Sequence, residues 1–181
     1  MFNTQIDLIC NSCGMCCQVM YNVASLEDDE KNLFQRSSLS LPCPYSKGGC
    51  LVYSSRPKLC VDYRCCLPYR IEGGEIGILE GLIIVNEAKI LISSIELNLM
   101  LSGLDHLKLI NGMISELLNG GGKKASELIL EYDEGRHKDI PAYALSKIDS
   151  LFGLLVNYFY NDMDLSEHGM KRDEIRLESS S

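Results

Sequence analysis

The chain has 181 residues, 46% of them hydrophobic, and a net charge of −8, which suits one domain or one and a half with material for a core. The acidic balance excludes non-specific nucleic-acid binding, which needs clustered Lys and Arg to displace counterions. No run of ~18 apolar residues is free of charge, so a membrane span is not expected either.

The chain begins Met1-Phe2-Asn3-Thr4-Gln5-Ile6-Asp7, without the basic start and small-residue cleavage site of an export signal. A cytoplasmic location with reducing thiol chemistry is the expectation. All nine cysteines lie between Cys10 and Cys66. An odd count and no export signal make a disulfide framework the weakest reading. Spacing at metal-ligand intervals, not at core periodicity, sets aside scattered buried thiols.

The first group is Cys10-Asn11-Ser12-Cys13-Gly14-Met15-Cys16-Cys17. Thiolates three residues apart on a tight loop can converge on one metal, and Gly14 supplies the backbone freedom. Cys10, Cys13 and Cys16 match the three-ligand run of a cubane iron–sulfur cluster, which a remote Cys-Pro closes; Cys43-Pro44 offers that pair. Neighbouring side chains diverge, so Cys17 faces a second centre, with Cys50, Cys60 and either Cys65 or Cys66 to complete it. Nine thiols supply two four-ligand sites with one to spare, so two metal centres or one polynuclear centre are expected.

Further along, Ser25-Leu26-Glu27-Asp28 reads as an N-cap with acids in the first turn, opening a short helix to about Arg36. The run Glu27-Asp28-Asp29-Glu30 is a solvated helix start, since no calcium loop follows. Residues 37–70, rich in Ser, Pro, Gly and Cys, read as irregular loops that ligands must order. Arg56-Pro57 has two readings: a cation near the thiolates that raises their reduction potential, or a turn with a solvated side chain. Tyr53 and Tyr63 are expected to shield the centre from water.

Residues 71–92 carry Ile76, Ile78, Leu82, Ile83, Ile84, Val85, Ile90, Leu91 and Ile92, a strand-like set with Asn86-Glu87-Ala88 as a hairpin turn. Ser93-Ser94-Ile95-Glu96 is a capping box. It opens a helix whose buried stripe is Leu97, Met100, Leu104, Leu107, Ile110, Ile114 and Leu117. Asn119-Gly120-Gly121-Gly122 ends it; with Leu117 in place of the first glycine, this is a helix stop and not a phosphate loop. A short helix follows from Ser126 to Glu134. Asp139 caps the last helix, Pro141 stands in its first turn, and Ala144, Ile148, Leu151, Leu155, Tyr158 and Phe159 form its buried stripe. His106, His137 and His168 are surface or helix residues. The polar end of the chain is expected to fray.

The expected fold class is α-rich, with α+β possible: an irregular cysteine-ligated module over 1–70, a small helical unit over 71–165 with room for one β-hairpin, and a flexible tail over 166–181. Residues 1–70 carry six acids and seven bases, and residues 71–181 nineteen and ten, so the acidic charge belongs to the helical unit.

From Cys10 to Cys65 the chain resembles the bacterial and archaeal cysteine-cluster proteins named for a C-x-x-C-x-x-C-C motif, described as zinc- or iron-chelating proteins or Fe–S oxidoreductases. The first motif is Cys10, Cys13, Cys16 and Cys17. The Cys-Pro element is Cys43-Pro44. The block C-x-x-Y-x-x-R-P-x-x-C-x-x-[FY]-x-C matches Cys50, Tyr53, Arg56, Pro57, Cys60, Tyr63 and Cys65. Val61 stands where an Arg is frequent, and Cys66 is an additional thiol. The resemblance implies eight ligand cysteines and a metal centre, but no particular reaction.

The first functional expectation is therefore a metal-binding protein. Its cofactor would be an iron–sulfur cluster, [4Fe–4S] favoured, with a redox or electron-transfer role and a protein or redox partner. Zinc is the alternative metal, in a structural module that mediates protein interaction. A cluster-dependent modifying enzyme, such as an Fe–S oxidoreductase, is the third reading; no base–nucleophile pair in the sequence supports it.

Overall fold

A computed structural model describes residues 4–20, 23–35, 37–40, 43–47, 49–101, 110, 112, 114 and 142–160. They form α1 (Thr4–Cys13), a π-helical turn (Cys16–Met20), β1 (Val23–Ser25), α2 (Asp28–Phe34), β2 (Ser38–Ser40), a 3-10 turn (Tyr53–Ser55), α3 (Lys58–Asp62), α4 (Cys66–Glu72), α5 (Ile78–Leu101) and α6 (Ala142–Tyr158). The fold is α-rich, as the sequence predicts. The chain divides into two compact units, Met1–Val85 and Asn86–Ser181.

In the first unit the cysteine motif begins on a helix and not on the expected loop. Helix α1 carries Cys10 and Cys13 on its last turn, and a three-residue spacing sets them on one face. Gly14 ends the helix at φ +73°, a left-handed conformation that costs glycine nothing. Ile6, Ile9, Cys13 and Met15 are buried. From α4 come the buried Leu67, Pro68 and Ile71; Pro68 lies in the first turn, where its missing N–H has no carbonyl to serve. A Cβ on Gly81 would stand 2.6 Å from Ile71 Cδ1 and 3.8 Å from Ile9 Cδ1. The glycine thus lets α1 and α4 close against the start of α5.

A second, smaller core lies under the cysteine loops. Strands β1 and β2 pair antiparallel, Val23 with Ser40, Ala24 with Leu39 and Ser25 with Ser38. Leu26, Phe34 and Leu39 are buried together, and Cys43, Tyr45, Val52 and Cys60 pack on them. The Phe34 and Tyr45 rings lie 5.3 Å apart at 59°, a tilted pair that adds to burial. Helix α2 starts at Asp28, two residues later than a Ser25 cap would give, with Glu27 as N-cap. The Glu27 N–H donates to Glu30 Oε2 at 2.9 Å, so an acid run closes its own helix end. Lys58 ties α3 to this end: its N–H donates to Glu30 and its Nζ lies 3.3 Å from Glu27.

The strand and hairpin expected over 71–92 are overturned. Residues 78–101 form one helix, α5, and Ser93-Ser94-Ile95-Glu96 sits in its middle and caps nothing. Ile84, Val85, Ala88, Leu91, Ile92, Ile95 and Leu99 are buried, a spacing with the helical period. Leu97, Met100 and Leu101, the first two expected in the core, are exposed. Among the described residues the antiparallel pair is β1–β2, outside the region expected to hold one.

In the second unit, Ile110 and Ile114 are buried. Helix α6 buries Ala144, Ile148, Leu151 and Leu155, and Phe159 beyond it is also buried, as the sequence predicts. Tyr158 is half-buried. Leu104, Leu107, Leu117, the Asn119–Gly122 stop, the 126–134 helix, Asp139, Pro141, the three histidines and the 166–181 tail lie outside the described residues. Among the described residues no helix is long and apolar enough to cross a membrane.

Candidate metal centre

All nine cysteines are described, and none forms a disulfide. Cys13 and Cys65 are buried and the other seven half-buried. Backbone bonds draw the separated segments together. The Cys43 N–H donates to the Cys17 carbonyl at 2.8 Å, the Cys50 N–H to the Asn11 carbonyl at 3.0 Å, and the Cys17 N–H to the Gly14 carbonyl at 3.0 Å. The 43–50 loop is thereby laid along the end of α1 and the turn after it.

The thiols interact in two sets. Cys16 is hydrogen-bonded to Cys65, and Cys65 also feels Cys13 and Cys10. Cys17 is hydrogen-bonded to Cys43 and also feels Cys50; Cys60 feels Cys43 and Cys50. One set is therefore Cys10, Cys13, Cys16 and Cys65, and the other Cys17, Cys43, Cys50 and Cys60. They meet at the Cys16-Cys17 peptide, and Cys16 acts on Cys17 and Cys60 as well. Cys65 stands beside Cys16, and Cys43 beside Cys17. Cys65 is the N-cap of α4 and Cys66 its first residue.

The electrostatics follow from burial and crowding. Burial, with Cys16 nearby, pushes the Cys10 thiol up to about 11. Burial, with Cys43, Cys16 and Cys50 nearby, does the same to Cys60, also about 11. Cys17 is raised by its bond to Cys43 and by burial, and Cys65 by its bond to Cys16 and by burial. Cys16 is lowered, because the Cys65 thiol donates to it and Arg56 stands near.

Two cations oppose the crowding. Arg56 pulls down Cys10, Cys16 and Cys60, so of its two readings the cation near the thiols is the one the geometry supports. It is fixed by its Nε bond to the Tyr53 carbonyl, 3.0 Å, and by stacking 3.7 Å over the Tyr53 ring. The Tyr53 O–H donates to Asp7 Oδ1 at 2.9 Å; burial and that bond raise Tyr53 to about 12. It stays a neutral phenol and serves as a wall beside Cys10. Arg64 also lowers Cys10 and is clamped by Glu72 through 2.7 and 2.6 Å bonds. Asp7, Asn11, Arg64 and Glu72 were not singled out from the sequence. Asp7 had a signal, its position one helical turn before Cys10; the others act through backbone or across distant segments.

Among the described residues no group of three or more His, Cys, Asp or Glu side chains stands in metal-holding geometry. The donor chemistry itself, sulfur alone, is that of a soft, thiophilic metal. Among the described residues, Ser46 Oγ, in the loop between Cys43 and Cys50, is buried without a hydrogen-bond partner.

Two predictions follow from this packing. A Cβ at Gly49 would lie 2.5 Å from the Asn11 carbonyl oxygen, a backbone atom that cannot rotate away. Gly49→Ala is expected to push the 43–50 loop off α1, costing about 1–3 kcal/mol in urea denaturation and lowering metal occupancy. The second concerns pH in the metal-free, reduced protein. Cys10 and Cys60 hold their protons to about 11 in the fold, against 9.0 ordinarily. Between those values the native state binds more protons than the unfolded chain, so stability is complete below about pH 9 and is lost as pH rises toward about 11. Cys17 and Cys65 act with the same sign; Cys16, lowered, acts oppositely and below that window. The urea midpoint should fall across it, and a flat midpoint would contradict the burial of these thiols.

Comparison with known protein families, curated proteins and solved structures finds no match to this chain.

Proposed function

We propose that residues 10–65 hold a thiolate-ligated metal centre, iron–sulfur in type, and that the protein works as an electron carrier. The observation that supports this reading is the pairing of thiols from separate segments, Cys16 with Cys65 and Cys17 with Cys43, with Cys10, Cys13, Cys50 and Cys60 close enough to act on them electrostatically. Sulfur-only ligation selects iron–sulfur clusters or zinc. The C-x-x-C-x-x-C run of Cys10, Cys13 and Cys16, and a donor count beyond one zinc, favour iron. The motif resemblance over Cys10–Cys65 points the same way.

A bound cluster would supply one-electron capacity. The chain's own residues would do the rest. Arg56 and Arg64 place positive charge beside the thiolates, which favours the reduced, more negative state. Met15, wholly buried, and the Tyr53 ring keep water away. An electron-exchanging protein partner follows from the role.

The test is purification without air, followed by iron and acid-labile sulfide analysis, visible absorption and electron paramagnetic resonance. Brown protein with iron and sulfide in similar amounts is expected. Colourless protein with stoichiometric zinc would replace this reading with a structural module whose metal supplies folding free energy.

A further inference from the structure

We propose that Cys17 and Cys43 form a reversible oxidation site: in the metal-free chain they close to a disulfide by exchange with a small-molecule disulfide such as glutathione disulfide. The site needs no bound metal and stands apart from the reading above. Three observations meet at this pair. The Cys43 N–H donates to the Cys17 carbonyl at 2.8 Å. A backbone bond between two residues keeps their Cα atoms on the order of 5–6 Å apart, inside the roughly 4.4–6.8 Å that a disulfide spans. The two side chains also meet, for the Cys17 thiol is hydrogen-bonded to Cys43. Finally, β1 and β2 pair antiparallel with Val23 opposite Ser40, so the chain enters β1 and leaves β2 at the same end of the ladder. Cys17 precedes that entry and Cys43 follows that exit.

Both residues are half-buried, within reach of a small oxidant. Cys16 and Cys65 are in contact too, but Cys65 is buried, which limits the access that exchange requires. In the exchange one thiol gives its proton to solvent and its sulfur attacks the oxidant, releasing one glutathione thiolate and leaving a mixed disulfide. The second thiol, its proton also lost to solvent, attacks the protein-bound sulfur and releases the other glutathione thiolate. The pair loses two electrons and two protons, and one glutathione disulfide becomes two glutathione thiols. Residues 18–42, with the buried Leu26, Phe34 and Leu39, are then enclosed in a covalent loop. Both thiols are out of use as ligands or nucleophiles until reduced.

The experiment strips metal from the full chain with chelator and reductant, removes both, and adds glutathione disulfide without air. Remaining thiols are blocked with N-ethylmaleimide. Cleavage after Lys and Arg leaves Cys43 alone in peptide 37–47 and Cys17 in peptide 1–31. Fragmentation mass spectrometry should find these two peptides joined through Cys17, roughly tenfold above any other link to Cys43, because neighbours held in place react far faster than free ones. The preference should vanish in concentrated urea, and dithiothreitol should restore both thiols. In Cys17→Ser, Cys43 should stay as a mixed disulfide with glutathione. Links from Cys43 spread over several cysteines, the same in folded and urea-unfolded chain, overturn the proposal. So does a Cys43 that links to another cysteine in C17S as fast as in the wild type. Should C17S fail to fold, the wild-type map alone decides. A chain that never takes up metal gives the same map, so failure of the metal centre and failure of this site are read apart.

Discussion

Cys16→Ser is expected to remove metal from both thiol sets, while Cys66→Ser leaves metal content unchanged. Cys16 is hydrogen-bonded to Cys65 and acts electrostatically on Cys10, Cys17, Cys60 and Cys65. It is the thiol common to the two sets. A serine hydroxyl does not ionise in this range and is a poor ligand for soft metals, so the first set loses a donor and the second loses a neighbour that fixes Cys17. Cys17→Ser should be milder, emptying only the set with Cys43, Cys50 and Cys60. Iron and sulfide per chain measure all three. The pair Cys65→Ser and Cys66→Ser is the sharpest control. Loss on replacing Cys66 with retention on replacing Cys65 would reverse the grouping.

Phe34→Ala should cost about 3–5 kcal/mol in urea denaturation, a large share of the ~5–15 kcal/mol that holds a typical domain. Phe34 is buried at 6% exposure among Leu26 and Leu39, with Cys43 and Cys60 packed on the same cluster. So small a core has no other residues to close over the cavity. The substitution takes away the wall behind two thiols of one set, so metal should leave the Cys17, Cys43, Cys50 and Cys60 set first. Leu33, beside it in sequence but 66% exposed, is the control: Leu33→Ala should move stability by no more than about 0.5 kcal/mol. Equal effects of the two would mean that the small core does not organise the loops.

The cysteine pattern was legible because residue spacing is a local property of the chain. So was α6, where Ala144 and Ile148 are buried one helical turn apart among less buried neighbours before the wholly buried run 151–156. The α5 segment misled for a specific reason. Its buried face, Ile84, Ala88, Leu91, Ile95 and Leu99, has helical period. Its exposed face also carries Leu79, Ile83, Ile90, Leu97 and Leu101, and apolar residues on both sides erase the amphipathic contrast. With that contrast gone, β-branched content points to a strand. Tertiary burial of one face then decides for the helix.

The sequence by itself determined that this protein gathers its sulfur between Cys10 and Cys66, with the first thiols three residues apart. Only the tertiary structure decided which distant thiol meets which. Cys65 comes to Cys16 because Leu67 and Ile71 of α4 bury near Ile9 of α1. Cys43 comes to Cys17 because the 43–50 loop hydrogen-bonds along the end of α1 and the following turn. Spacing along a chain fixes local direction; which remote segment fills the opposite side depends on the apolar surfaces and backbone groups that must be buried together.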